Sequence, residues 1–521
     1  MGASQTDNIT RTTRRKNQAE GILDVAIIGS GFSGIGMGAE LKKRGINDFR
    51  IFEKAASAGG TWRDNSYPGC ACDVESALYS FSFAQNPSWS RGFAPQAEIQ
   101  QYLEKVLQDV SLDEHMCYGH ALSAARYDAE EQIWQLKFSN GQRVQTRMLV
   151  SAIGALHLPN IPDINGLNDF KGEVFHSAQW RHDVDLTGKR VAVIGTGASA
   201  IQFVPAIAQQ VKSLTLFQRS AAWVLPKPDR SISKLEQGLY QTVPPLMSLR
   251  RAVTYSRLEG RALAFNYFTS ALRVTEAQAV RHIKKYVKDP VKVQKLTPDY
   301  HMGCKRVLIS NDYYAAINRE HVAVETCGIE RVNGNAIVDS NGVSHEVDVI
   351  LLGTGFKTLD AVAALDICNA EGQSLAKSWE NGAESHLGCM LAGFPNFFLL
   401  LGPNTGLGHN SQVYMIESQI RYIGDALSKI RQHGLASVEV KESVQTKFVS
   451  QIQSRLKNTI WQSGCQSWYL NDKGENWTLW PGFTFVYRYL SREFKLRNHH
   501  CIPSKVNQDE MALDVMEGEL I

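Results

Sequence analysis

The sequence predicts an α/β protein in which one βαβ plan occurs twice, the second copy carrying a helical insertion. Three observations predict it. Two glycine-rich turns each follow a short apolar run, a charged residue stands 24 positions beyond the first glycine of each turn, and a helix-patterned stretch with scattered bases covers about residues 235–295.

The first unit starts with Asp24–Ile28, a short apolar run that reads as a buried parallel strand. Gly29-Ser30-Gly31-Phe32-Ser33-Gly34 follows at once, then a helical stretch from Ile35 to Arg44 with Gly45 as its stop. A second strand, Arg50–Phe52, runs into Glu53 and Lys54. Gly29 suits the tight turn, Gly31 lets backbone approach a pyrophosphate, and Gly34 lets helix and strand pack closely. The helix N-terminus offers free N–H groups to phosphate. Glu53 stands where a carboxylate can accept both ribose hydroxyls.

The second unit repeats the order. Arg190–Ile194 is the strand, Gly195-Thr196-Gly197-Ala198-Ser199-Ala200 the turn, a helix runs to about Gln209, and Leu214–Phe217 is the next strand. Arg219 stands at the offset from Gly195 that Glu53 has from Gly29. A carboxylate there repels a 2′-phosphate and a guanidinium grips one. The units are therefore read as two Rossmann-like dinucleotide-binding domains. The first is for FAD, through Gly29, Gly31, Phe32, Ser33, Gly34, Glu53 and Lys54. The second is for NADPH, through Gly195, Thr196, Gly197, Ala198, Ser199, Arg219 and Ser220.

Leu149–Gly154 and Val349–Phe356 are apolar returns that suit crossings between the two domains. The expected division is a disordered tail over 1–22, a first FAD-binding part over 23–156, the NADPH-binding domain with its insertion over 157–389, and a second FAD-binding part over 390–521. Helices are expected at about Ser418–His433 and Val444–Lys457. A chain of 521 residues, 43% apolar and 21% charged, suits several soluble domains. A net charge of +3, with no basic run standing out after the first 20 residues, gives nucleic-acid binding no support. No apolar run is long enough for a membrane span, and residues 1–22 match neither a Sec nor a twin-arginine signal. Nine cysteines without paired Cys-x-x-Cys groups point to free thiols in a reducing cytoplasm and to no metal.

Four further stretches stand in order along the chain. They are Gly59-Gly60-Thr61-Trp62 with Tyr67-Pro68-Gly69 and Asp73; Phe170, Gly172, His176 and Trp180; Lys305-Arg306 ahead of Asp312; and Ser467-Trp468. Together with the two turns they resemble the class B flavoprotein monooxygenases, and within them the Baeyer–Villiger monooxygenases, over about Asp24–Phe494. Trp180 stands where N- and S-oxygenating relatives tend to have Phe or Tyr. Arg181 departs from the Pro or Asp usual in that motif.

The resemblance implies a function. NADPH reduces FAD, O₂ then gives a flavin C4a-peroxide, and this inserts one oxygen next to a ketone carbonyl to form an ester or lactone. It makes Arg306 and Asp73 the catalytic pair. It adds Gly60, Thr61, Trp62, Tyr67, Asp73, Tyr79, Gly402 and Asn404 to the FAD site, and Lys305 and Trp468 to the NADP site. His176 and Trp180 are expected to govern domain coupling. The ketone itself and the oligomeric state are not legible. Three rivals stand beside this reading: an N- or S-oxygenase acting on amines or sulfides, a disulfide reductase, and a non-catalytic nucleotide sensor. A reductase places a redox cysteine where this chain has Trp62.

Overall fold

The computed structural model describes residues 21–504 except Leu359, Gln466 and Asp472. Residues 1–20 of the expected tail and 505–521 lie outside the described residues. The first strand, β1 (Ile22–Ile28), begins inside the stretch expected to be tail.

Two sheets carry the molecule. The first holds β1, β2 (Phe49–Glu53), β3 (Met116–Tyr118), β4 (Leu122–Asp128), β5 (Ile133–Phe138) and β6 (Arg143–Ser151). The second holds β7 (Glu173–His176), β8 (Arg190–Ile194), β9 (Ser213–Phe217), β10 (Val322–Glu325) and β11 (Val349–Leu352), in the order β10–β9–β8–β11–β7. Two late strands, β12 (Asp366–Cys368) and β13 (Phe397–Leu399), return to the first sheet, whose order is β12–β4–β5–β6–β1–β2–β3. Strand β13 lies parallel to Leu149–Ser151 of β6, while β5 runs antiparallel to Arg143–Thr146 of the same strand. The return therefore begins at Asp366, before the expected boundary at 390. A three-residue strand is too short to show a period-2 pattern in sequence.

The parallel strands read as continuous apolar runs because both faces are covered. Val25–Ile28 and Val191–Ile194 are all buried. Each unit then packs a helix on its sheet, α1 (Phe32–Lys43) and α2 (Ala200–Ile207). The insertion is helical, as Lys234–Thr242, Pro244–Asn266 (α3), Leu272–Tyr286 and Pro290–Leu296. The C-terminal part adds α4 (Gln412–Gln432) and Glu442–Leu456, and α4 packs against α1. Among the described residues no helix is long and apolar enough to cross a membrane.

Two histidines in the C-terminal part make stability depend on pH. Burial pushes His386 down to about 3 and His499 down to about 4. Both are neutral when folded, whereas the unfolded chain binds their protons below its ordinary value of 6.5. Their contribution is thus complete above that value and is lost as pH falls toward 4 for His499 and 3 for His386. Thermal unfolding should move to lower temperature over that window, and His386→Gln should flatten the slope. An unchanged slope in the variant would remove His386 from this role.

Candidate functional site

The two glycine turns are built alike to the atom. Gly29 and Gly195 both have φ +105°, a left-handed conformation that favours glycine. Gly29 N–H donates to Phe52 O at 2.8 Å and Gly195 N–H to Phe217 O at 3.0 Å. A Cβ on Gly29 would stand 2.7 Å from Ala152 O, and one on Gly195 would stand 2.4 Å from Gly353 O. The apolar returns are thus what press against each turn.

Both turns leave a cradle of bare backbone. A Cβ on Gly31 would stand 3.7 Å from Gly60 Cα and would fill the slot between the two chains. A Cβ on Gly197 would meet only Gly353 O, at 3.8 Å. No side chain caps α1 at Gly31 or α2 at Ser199; the first turn of α1 can offer N–H groups to an anion, whereas in α2 Ile201 and Gln202 already donate to Gly197 O and Ser199 O. These residues fit two pyrophosphates.

Glu53 is buried at the end of β2. It accepts from Ser30 N–H at 3.0 Å, Ser30 Oγ at 2.7 Å and Ala55 N–H at 3.0 Å, and Arg63 lies 3.0 Å away. Burial works to raise its pKa, but these bonds and the Arg63 charge outweigh that and hold it below the ordinary value. It is a fixed carboxylate.

The second unit gathers positive charge. Lys305 Nζ donates to Ser220 Oγ at 2.7 Å and lies 4.6 Å from the centre of the Tyr300 ring. Burial and the neighbouring Arg219 push its pKa down. Arg219 itself is exposed, and Thr196 Oγ1 donates to Ser220 O at 3.2 Å. Arg219→Ala is expected to raise the KM for NADPH by about 10-fold or more and to leave that for NADH nearly unchanged, because one charge-assisted contact to a phosphate is worth about 1.5–3 kcal/mol. Equal effects on both cofactors, in steady-state assays, would overturn the assignment.

Between the units stands the Asp73–Arg306 pair. Arg306 Nε and Nη2 both donate to Asp73 Oδ2, at 2.9 and 2.6 Å, and Nη1 reaches Leu407 O at 3.4 Å. The Asp73 charge raises the pKa of Arg306 further still, so the guanidinium is permanently charged. Tyr469 is buried beside it, with its hydroxyl among the buried groups lacking a hydrogen-bond partner. Burial pushes that phenol up to about 12. Trp468 packs on Tyr469 with ring centroids 4.5 Å apart and is itself exposed.

Nearer the first turn, buried Trp62 donates from Nε1 to Tyr79 Oη at 3.2 Å, and Tyr79 packs edge-on to Phe32 at 5.1 Å. Tyr67 reaches the other unit, donating to Gln202 Oε1 of α2 at 3.0 Å. Trp180 packs on Phe175 of β7 at 5.3 Å and on Phe203 of α2 at 5.5 Å. Phe203 thereby meets Tyr67 as well, at 6.0 Å. His176 ends β7, accepts from Ala178 N–H at 3.1 Å, and is kept neutral by burial. Phe170 is buried, and a Cβ on Gly172 would strike Asp348 O at 2.2 Å. Trp180 thus makes a joint that packs β7 on α2, whose Phe203 meets Tyr67 of the first unit, while Phe170 packs inside the second unit. Arg181 is exposed and paired with Glu173 and Asp183, so it stands outside that joint.

Asn404 binds the backbone of a later segment. Its φ is +57°, and Nδ2 donates to Asn476 O at 3.1 Å and Leu479 O at 3.2 Å. A Cβ on neighbouring Gly402 would lie 2.5 Å from Gly388 O. The side chain of Asn404 thus secures the 476–479 segment. Sequence reasoning missed Tyr469 and the Leu407 carbonyl, although adjacency to Trp468 was a signal for the first.

The cysteines correct one expectation. Cys304 and Cys465 are joined in a disulfide, while the other seven are free. The reductase alternative fails on the same residues. Cys70 and Cys72 are unpaired, burial pushes Cys70 up to about 11 and Cys72 higher, and Trp62 fills the redox position. A redox dithiol needs the opposite shift.

Fold and site define a two-dinucleotide oxidoreductase with a guanidinium–carboxylate pair in place of redox thiols. The comparisons agree. The family profile described as Pyridine nucleotide-disulphide oxidoreductase matches residues 26–237. A Baeyer-Villiger monooxygenase of Pseudomonas aeruginosa is 48% identical over 91% of this chain and 91% of its own. One of Streptomyces coelicolor is 44% identical over 92% of each. A steroid monooxygenase solved in its oxidised form with NADP superposes with a TM-score of 0.83 at 29% identity, covering 92% of this chain and all of the other. Cyclohexanone monooxygenase from Rhodococcus sp. Phi1 with NADP+ gives 0.82 at 27% identity, over 93% and 99%. The chain belongs to the Baeyer–Villiger monooxygenases.

Proposed function

We propose that the protein is a cytoplasmic FAD- and NADPH-dependent monooxygenase that inserts one oxygen atom of O₂ next to a ketone carbonyl, giving an ester or lactone. The observation that carries this reading is the Arg306 guanidinium held on Asp73 between the two glycine cradles. Bound FAD would supply oxygen activation and NADPH the hydride.

The chain's own residues divide the remaining work. Arg306 keeps its proton and offers a fixed positive charge to the oxygen that gains electrons. Asp73 orients it through two bonds to one oxygen. Glu53 takes the FAD ribose. Arg219, Ser220 and Lys305 take the 2′-phosphate of NADPH. Trp468 covers the nicotinamide side and excludes water, so that oxygen reaches the substrate instead of leaving as hydrogen peroxide. The joint of Tyr67, Trp180 and Phe203 keeps the two cradles in register.

A panel of linear, cyclic, aromatic and steroid ketones beside amines and sulfides, with NADPH consumption and product identity read together, tests the reaction. Esters or lactones from at least one ketone class are expected. Oxidation confined to the amines and sulfides would replace this reading with heteroatom oxygenation.

A further inference from the structure

We propose that Cys304 and Cys465 form a reversible thiol–disulfide site that ties the Trp468–Tyr469 loop to the segment carrying Lys305 and Arg306. The bond joins residues 161 positions apart with Cα atoms 6.2 Å from each other. Cys304 is fully buried and directly precedes Lys305, whose ammonium bonds Ser220. Cys465 is part-exposed and lies three residues before Trp468. Three residues span at most about 11 Å. While the bond holds, Trp468 cannot leave the neighbourhood of the Lys305–Arg306 pair. On its other side Tyr469 is buried against Arg306.

The chemistry balances with a dithiol in one direction and hydrogen peroxide in the other. A reductant thiolate attacks Sγ of Cys465, the more accessible sulfur, and expels Cys304 as thiolate, which takes a proton. The second thiol of the reductant then displaces Cys465 and leaves as a cyclic disulfide. In reverse, one thiolate attacks peroxide, breaks the O–O bond and becomes a sulfenic acid with release of water. The other thiol displaces a second water and closes the bond. Two thiols and one peroxide give one disulfide and two waters. In a reducing compartment a disulfide of this kind is transient and redox-responsive rather than a permanent staple. Hydrogen peroxide is also what a poorly covered site would leak. The leak would therefore fasten the cover.

The proposal rests on the reading of Trp468 as the cover, and the test separates the two. The FAD-loaded enzyme is treated with hydrogen peroxide or with dithiothreitol, desalted, alkylated and mapped by peptide mass. A 304–465 linked peptide is expected after peroxide, and two alkylated thiols after dithiothreitol. Backbone hydrogen exchange across 460–470 should quicken several-fold in the reduced form. The share of NADPH electrons recovered as hydrogen peroxide should at least double. Cys465→Ser should show the reduced values and ignore dithiothreitol. A link that does not form, that dithiothreitol does not open in the folded enzyme, or that leaves exchange unchanged overturns the proposal. Quicker exchange with unchanged leakage upholds the site and overturns the cover reading.

Discussion

Arg306→Ala is expected to leave reduction of the flavin by NADPH close to wild type and to cut ester formation by a factor of about 100–1000 or more, the usual cost of losing a preorganised donor to developing negative charge. The separation follows from where the side chain stands. The proposed 2′-phosphate grip is Arg219, Ser220 and Lys305, and Lys305 bonds Ser220 rather than Asp73. Arg306 is committed to Asp73 and Leu407. Truncation also strands the Asp73 carboxylate, which adds desolvation cost without repairing the chemistry. Arg306→Lys keeps a positive charge but cannot reproduce both bonds to Oδ2, so it should recover only part of the loss. Anaerobic stopped-flow reduction and product analysis in air read the two halves separately. Near wild-type ester formation in the alanine variant would end the assignment.

Gly34→Ala should abolish FAD retention. A Cβ there would sit 1.9 Å from the carbonyl oxygen of Gly29, a backbone atom that cannot rotate away. To relieve the overlap α1 must lift from β1, and the turn that cradles the pyrophosphate opens. The purified variant should be colourless, with a Tm well below wild type. Gly45→Ala is the control. Gly45 has φ +68° and nothing within 4 Å of an added Cβ, so only conformational strain remains, about 1 kcal/mol. That variant should stay yellow. A yellow Gly34→Ala protein would show that close helix–strand approach is dispensable for the cradle.

These expectations differ in how far sequence alone could carry them. The strands beside the two turns were legible to within two or three residues, because a buried parallel strand is an apolar run and each run ends at glycine. The shared offset of Glu53 and Arg219 could be read because one strand–helix–strand unit sets it, a local length. Asp73 and Arg306 are 233 positions apart, and only family resemblance could join them. The resemblance covers side chains that recur in motifs. It says nothing of a carbonyl such as Leu407 O, which any residue could supply. It also missed Cys304–Cys465, because composition argues about compartments whereas pairing depends on where two distant segments meet. Asn404 entered the FAD site only through the resemblance, and the bonds of its amide to Asn476 and Leu479 could not be read from sequence.

The surroundings of Arg306 carry one more consequence. Its carboxylate partner comes from the first unit, its carbonyl acceptor from the returning C-terminal part, and its aromatic neighbour from the 468–469 loop. No single segment completes it. The residue behaves as a logical conjunction of three inputs: the reactive charge is fully set only when all three segments have arrived. On the proposed assignment, in which the phosphate grip is separate, a half-assembled molecule could still accept electrons from NADPH but would lack the means to direct them into substrate. Variants at remote joints, such as Trp180 against Phe203, should therefore degrade fidelity of electron use before they degrade its speed.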